Sequence, residues 1–423
     1  MKAVLVLLVS LVSSVGFSQN SAHLLWTGQE ALTARLDLIE HSRNPMLSVF
    51  EMSEDTVGMA QLAALVDNAR AGGHPRLLLD GLGHRLSHRT LQYLSSQNVE
   101  VRIFRAMHLI PLLEFGPNQA LQRMHDKILS SDDEELVTGG RNSANKFFGR
   151  DPKGQNFIDY EVVLHGPVAR AGRAYQEELW SSALSQAPYL FFTTPLDRSI
   201  TEGKFLAARA ELKALGWLSQ LRPNWAALLT PVTGEFLHDR VTPDSGSVDG
   251  TQRGFLQIAQ SVKKQLIIDA NYFLLTQEEM NALGAAVKRG VDVQVVTNGQ
   301  HASASITDSL IQEGFELTKP RLRALGITVR EFQGPGRIHS KAVIADGNDC
   351  LIWSFNLDPR SRYTNYEAGV RLQSPVVCSQ LATQIHLHLD SSLLTMDHGR
   401  QKVADRAICP AHEALIHAFE QQL

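Results

Sequence analysis

The chain has 423 residues, 43% of them hydrophobic and 20% charged, with a formal charge of −4 and three cysteines. That composition excludes a disordered chain and a scaffold built on disulfides, and the length makes more than one domain the expectation. Without a basic surplus, a nucleic-acid partner is disfavoured.

The chain opens MKAVLVLLVSLVSSVGFSQN. Lys2 precedes an apolar run from Ala3 to Phe17 that ends among small residues, the layout of a secretory signal peptide cleaved after Ser18. The run is shorter than the roughly 20 apolar residues of a membrane-spanning helix, and no later stretch is long and apolar enough. Export is therefore expected, to a periplasmic, membrane-associated or secreted location. MLSVFEM (46–52) reads as a strand, and LAALVDNARAGGHPRLLLDG (62–81) as helix, glycine turn and strand. RMHDKILSSD (123–132) follows, then TGGRN ending at Asn142, then FIDYEVVLHGPVAR with Asp159 and Glu161. TTPLDRSITEGK and HDRVTPDSGSVDGTQRG are rich in Pro, Gly, Ser and Asp and read as loops around a helical FLAARAELKALGWLSQL.

The pattern then begins again. KQLIIDANYF (264–273) reads as a strand and LGAAVKRGVDVQVVTNG (283–299) as helix, turn and strand. RIHSKAVIAD (337–346) repeats the earlier string: His125, Lys127, Asp132 and Asn142 recur as His339, Lys341, Asp346 and Asn356, each 214 residues on. Asn365-Tyr366-Glu367 answers Asp159-Tyr160-Glu161 across a shorter gap. A duplication with one polar motif per copy implies one shared site between two like α/β lobes with largely buried sheets. The expected division is a signal peptide at 1–18, a first lobe at 19–195, a linker region at 196–250, a second lobe at 251–390 and a helix-rich tail at 391–423. HLHLD (386–390) lacks helical metal-ligand spacing and reads as a surface element. Of Cys350, Cys378 and Cys409, an exported protein can pair two; their spacing matches no metal site.

Successive strand residues face opposite ways, so His125 and Lys127 share a face, as do His339 and Lys341. Asp132 and Asp346 lie an odd number of residues from their lysines and fit anchors at the strand ends. Glu161 and Glu367 are the expected partners that orient the two imidazoles. Two His and two Lys converging suit phosphoryl transfer. One neutral imidazole attacks phosphorus, the other donates to the leaving oxygen, and a carboxylate on the far ring nitrogen fixes the tautomer. Asn142, Ser354 and Asn356 are candidate donors to phosphate oxygens. The scheme calls for no cofactor and no metal.

Taken together, RMHDKILSSDDEELVTGGRN, FIDYEVVLHGPVAR and IHSKAVIADGNDCLIWSFNLDPRS followed by NYEAG resemble the phospholipase D superfamily, most of all its bacterial cardiolipin synthase-like branch. The likeness runs from about 28 to 375. It implies two similar α/β lobes with mixed sheets flanked by helices and one active site on the pseudo-two-fold interface. By the family's paired His-x-Lys-(four residues)-Asp signature, His125, Lys127, Asp132, His339, Lys341 and Asp346 are the signature site residues. The resemblance further implies a ping-pong reaction through a phosphohistidine, with His125 as nucleophile and His339 as acid then base. The implied substrate is a phospholipid such as phosphatidylglycerol or phosphatidylethanolamine, met at a membrane surface. A lipid alcohol as acceptor gives cardiolipin-type transfer and water gives phosphatidic acid; a phosphodiesterase acting on nucleic acid and a non-catalytic lipid binder are the remaining alternatives. Trp353 stands where the family's Gly precedes Ser354, a departure expected to crowd the phosphate pocket.

Overall fold

The computed structural model describes residues 19–106, 122–132, 134–189, 194–218, 225–239, 250–299 and 306–394. The signal-peptide segment, Cys409 and residues 395–423 of the expected tail lie outside these. The first part of the chain supplies β1 (Ser21–Leu25), β2 (Met46–Val49), β3 (Arg76–Asp80), β4 (Glu100–Phe104), β5 (Arg123–Met124), β6 (Lys127–Ser130), β7 (Glu135–Gly139), β8 (Phe157–Ile158), β9 (Glu161–His165), β10 (Ser185–Gln186) and β11 (Thr230–Pro231). The second supplies β12 (Thr233–His238), β13 (Gln265–Ala270), β14 (Asp292–Asn298), β15 (Thr328–Phe332), β16 (Arg337–Ile338), β17 (Lys341–Ala345), β18 (Asp349–Trp353), β19 (Asn365–Tyr366), β20 (Ala368–Gln373) and β21 (Ser392–Leu394).

Two large sheets result, and they match strand for strand. The first runs β10-β4-β3-β2-β6-β7-β9-β1, with β11 added at its edge; the second runs β21-β15-β14-β13-β17-β18-β20-β12. In each, three parallel strands joined by helices meet an antiparallel meander at the motif strand, β6 or β17. The duplication therefore reaches further than the motifs. It includes β1 and β12, and it includes β21, which closes the second sheet where the tail was expected to begin.

Each sheet is covered on both faces, which is why its strands read as nearly continuous apolar runs. Leu47, Val49, Leu77 and Leu79 pack outward against helices Gly28–His41 and Thr56–Arg70. Leu266, Ile268, Val293 and Val295 do the same in the second lobe against helices Gly250–Ser261 and Gln277–Lys288. The opposite faces share one central core, in which Met46, Leu78, Ile128 and Leu164 join Ile267, Val296, Ile344 and Ile352. A fully buried Leu or Ile contributes about 1.5–3 kcal/mol, so this common core ties the lobes into one unit.

Three expectations change here. The stretch TTPLDRSITEGK is the start of helix Pro195–Ala214, not a loop: Thr194 and Asp197 form a capping box, with Pro195 in the first turn. The chain then passes from the first sheet to the second between β11 and β12, inside the expected linker. Finally, HLHLD ends helix Pro375–Asp390, where His386 is exposed and His388 is buried against Asp269 (Nδ1 to Oδ2 3.0 Å). Residues two apart on a helix point to different sides. Cys350 and Cys378 are buried free thiols.

Candidate active site

The lobes are stitched together at the motifs. β5 pairs in parallel with β19, and β16 with β8, so each motif begins as a strand of the other lobe. The chain then enters its own sheet at Lys127 or Lys341. His125 and His339 stand on this crossing, not within the sheet strand as expected. The His125 N–H donates to Tyr366 O (2.9 Å) and the His339 N–H to Ile158 O (2.8 Å). Both histidines are thereby held where the two lobes meet.

Each His meets a carboxylate from the opposite lobe. His125 Nδ1 lies 2.9 Å from Glu367 Oε2, and His339 Nδ1 lies 2.5 Å from Asp159 Oδ2. Glu367 was expected in this role and Asp159 was not. Sheet register gives the reason. Gly139 pairs with Glu161 in the first lobe and Trp353 pairs with Gly369 in the second. Gly139 and Trp353 are repeat equivalents, so Glu161 corresponds to Gly369 and Asp159 to Glu367. The similarity of DYE to NYE hides a two-residue offset. Glu161 turns outward, where its Oε1 is ion-paired with the buried Arg35. Arg35 also donates to Ser143 Oγ (2.9 Å) and Arg141 O (2.7 Å), fixing the turn that carries Asn142.

The same register disposes of the crowding expected from Trp353. Its ring packs in the outer core beside Phe355. A Cβ on Gly369 would lie 2.2 Å from the Trp353 Cβ, so only glycine fits opposite it. A Cβ on Gly140 would lie 2.1 Å from Asp159 Oδ1, so glycine there leaves room for that carboxyl in its present position.

Glu367 is held by three further donors: Ser354 Oγ (2.5 Å), Ser361 Oγ (2.6 Å) and Asn365 Nδ2 (3.0 Å). Ser354 is thus committed to Glu367 and does not stand free as a phosphate donor. Asn142 Oδ1 accepts from Glu51 N (3.1 Å), while the buried Asn356 Oδ1 has no partner among the described residues. Asp132 and Asp346 are anchors at the strand ends, as parity indicated. Asp132 accepts from Ser42 Oγ (2.7 Å) and from Asn44 Nδ2 (2.8 Å). Asp346, at φ 51°, accepts three backbone N–H groups of residues 263–265 (2.7–3.0 Å). Neither touches a histidine.

The lysines complete the centre. Lys127 Nζ donates to His125 O and Lys341 Nζ to His339 O. Lys341 Nζ also lies 2.9 Å from His339 Nδ1 and 3.3 Å from its Nε2. Lys127 is 1% exposed, Lys341 3% and His125 7%, so all three have lost most of their hydration. Burial lowers the Lys127 ammonium to about 7 and Lys341 to about 8, although Glu367 and Asp159 oppose the shift. Burial and the two ammonium groups push both imidazoles well below their usual range. Burial raises the carboxyls of Glu367 and Asp159, against the pull of the lysines. An aromatic wall explains the low polarity: Phe50 lies edge-on to His125 (5.0 Å), Phe147 edge-on to His339 (4.8 Å), and Phe157 stacks on His339 (5.4 Å). Two buried cations beside neutral imidazoles form a site that an anion would neutralise. Asp358 is a further buried carboxyl whose charge acts on both His125 and Lys341. The order of strings in the sequence could not assign it a role, because its position depends on the short helix Pro359–Tyr363 that it caps.

Residues 255–389 match the family model described as the cardiolipin synthase, PLD-like domain. The solved structure of a phosphatidylserine synthase from Haemophilus influenzae Rd KW20 superposes with a TM-score of 0.62 over 90% of each chain, at 13% identity. The second lobe is thus similar to a phospholipase D-like domain of the cardiolipin synthase kind, and the whole chain shares its fold with the phosphatidylserine synthase. The chain is 26% identical over 357 residues to cardiolipin synthase A of Yersinia pseudotuberculosis, covering 83% of this chain and 65% of that one. It therefore spans slightly less than two thirds of that relative. It is also 24% identical over 408 residues to an uncharacterised protein of Helicobacter pylori, covering 89% of this chain and 80% of that one. Among the described residues there is no cluster of His, Cys, Asp and Glu suited to a metal ion, and no helix is long and apolar enough to cross a membrane.

Proposed function

We propose that this protein is a member of the phospholipase D superfamily that transfers the phosphatidyl group of a phospholipid to an alcohol acceptor, in the manner of a cardiolipin synthase, through a covalent phosphohistidine. One observation carries the reading: each motif His gives its Nδ1 to a carboxylate of the opposite lobe, which leaves Nε2 of each ring as the reacting atom. In the first half-reaction His125 Nε2 attacks phosphorus as the bond to the head-group oxygen breaks. His339, protonated once the substrate anion has entered, gives its proton to that oxygen. In the second, neutral His339 takes the proton of the acceptor hydroxyl, whose oxygen attacks phosphorus and expels His125 as a neutral imidazole. Lys127 and Lys341 neutralise the non-bridging oxygens throughout, more strongly here than in water because the site is dry. Glu367, already holding four donors, steadies the charge on phosphorylated His125. The burial of the site supports an alcohol as acceptor over water, and the kinship with cardiolipin synthase A supports a phospholipid donor.

The test is labelled phosphatidylglycerol in mixed micelles with metals chelated. Cardiolipin plus glycerol is the expected product pair. Phosphatidic acid alone would make water the acceptor. Turnover of a nucleic-acid phosphodiester in place of phosphatidylglycerol or phosphatidylethanolamine would overturn the lipid reading.

A further inference from the structure

Helix Pro195–Ala214 is apolar on its inner side, where Phe205, Ala208 and Leu212 pack into the outer core of the first lobe. Its outer side is also uncharged. Leu196 and Leu206 are 68% and 67% exposed and Ile200 is 36% exposed. Gly203, Ala207 and Ala210 are exposed between them. At 3.6 residues per turn these positions form one stripe over roughly a third of the helix surface. A run of exposed large apolar side chains on a single face marks an interaction surface.

The charges beside the stripe indicate what it meets. Every acid of the helix is neutralised by a cation of the lobe: Asp197 by Arg89 (2.6 Å), Glu202 by Arg70 (3.2 Å) and Glu211 by Arg150 (2.8 Å). Lys204 and Arg209 are likewise spent on Glu54 and Asp67. Arg198 and Lys213 remain exposed with no ionic partner among the described residues, so the uncompensated charge along the stripe is basic. The helix is also tied to the segment that leads to the active site. Lys204 Nζ holds Glu54 Oε2 at 2.5 Å, and four residues before Glu54 the Phe50 ring touches His125.

We infer that the outer face of helix Pro195–Ala214 docks the protein on an anionic phospholipid surface, with Leu196, Ile200 and Leu206 among the acyl chains and Arg198 and Lys213 at the lipid phosphates. The inference rests on the proposed lipid activity for its purpose, but its geometry stands apart from the catalytic groups. An uncharged stripe with basic flanks matches a bilayer interface, whose outer layer is anionic and whose interior is apolar.

The experiment compares the full protein with its Leu196→Gln/Ile200→Gln/Leu206→Gln variant, after checking that both melt alike. Sedimentation with phosphatidylcholine vesicles containing phosphatidylglycerol is expected to fall at least about tenfold in the variant. Turnover of lipid in those vesicles should fall with it, while turnover of a short-chain phospholipid dissolved as monomer stays unchanged. Arg198→Glu/Lys213→Glu should weaken binding to the anionic vesicles and leave neutral ones unaffected. Equal vesicle binding by wild type and the triple variant would overturn the proposal. So would a wild-type dimer that the variant converts to monomer with vesicle binding unaltered, because the stripe would then be a self-interface. Stripe-dependent vesicle binding by a protein that turns over no phospholipid would support the docking face and refute the proposed activity.

Discussion

Replacing Glu367 by Gln removes one charge and leaves the volume intact. The carboxylate receives four donors: His125 Nδ1 and Ser354 on one oxygen, Ser361 and Asn365 on the other. An amide offers one oxygen in place of two, so the two donors on the other side face an NH2 group. Each buried donor stripped of its acceptor costs about 1–3 kcal/mol. The two serine hydroxyls can rotate, which lowers the expected loss of stability to about 2–4 kcal/mol. The effect on turnover is larger. If the amide nitrogen faces His125, Nδ1 must become the acceptor and the proton moves to Nε2, which can then no longer attack. In the opposite orientation the tautomer survives, but the negative charge that stabilises phosphorylated His125 is gone. Exchange of a carboxylate for an amide behind a catalytic His costs on the order of 10⁴ in turnover, so a fall of about 10³–10⁴ is expected. Head-group release gives the rate, and a thermal melt confirms folding. Turnover within tenfold of wild type in a folded Glu367→Gln protein would refute the cross-lobe pairing as a catalytic device.

Gly140→Ala should lower turnover by at least about tenfold with little loss of lobe stability, because its methyl displaces the Asp159 carboxyl; rescue by an Asp159→Asn partner change would argue against that cause. Asp346→Ala should lose about 1–2 kcal/mol, since three N–H groups lose their acceptor near solvent, yet keep turnover within tenfold; loss of chemistry in the stable variant would return Asp346 to the catalytic set. Arg35→Met leaves Glu161 as an unpaired buried charge and should cost about 3–5 kcal/mol, more than Arg35→Met/Glu161→Leu together; a melt that ranks them the other way would contradict this. Lys127, held at about 7 when folded and near its ordinary 10.5 when unfolded, binds fewer protons in the native state. Its contribution is therefore destabilising below about 7 and relieved as pH rises toward 10.5. Lys127→Met should accordingly abolish turnover, and its melting advantage over wild type should shrink across that range; an advantage that grows with pH would refute the sign.

The meeting of the two His-x-Lys motifs was legible because residue types recur at fixed spacing, and Asn142 and Asn356 kept the same offset. The two-lobe plan was legible because helix, turn and strand recur in one order before each motif. The partner of His339 was not legible. A change of two residues in the connection before β20 turned string similarity away from sheet register, and Glu161 was read in the place of Asp159. The side-chain sizes held a clue: Gly139 opposite Glu161 and Trp353 opposite Gly369 exchange small for large. Ser354 was read as a phosphate donor because the sequence shows its neighbour Asn356 but not the Glu367 oxygen across the hairpin. The start of helix Pro195–Ala214 was read as a loop because Thr, Pro and Asp serve helix caps and turns alike.

The central claim is a phosphatidyl group carried on one histidine and released with the help of the other. The most direct measurement is mass spectrometry of peptides from the His339→Asn protein, incubated with phosphatidylglycerol and quenched in base, where phosphohistidine survives. The adduct is expected on the peptide containing His125, accumulating above the wild-type level and absent from His125→Asn. Product formation with no adduct on either histidine would mean that the acceptor attacks the phospholipid directly, and would contradict the account.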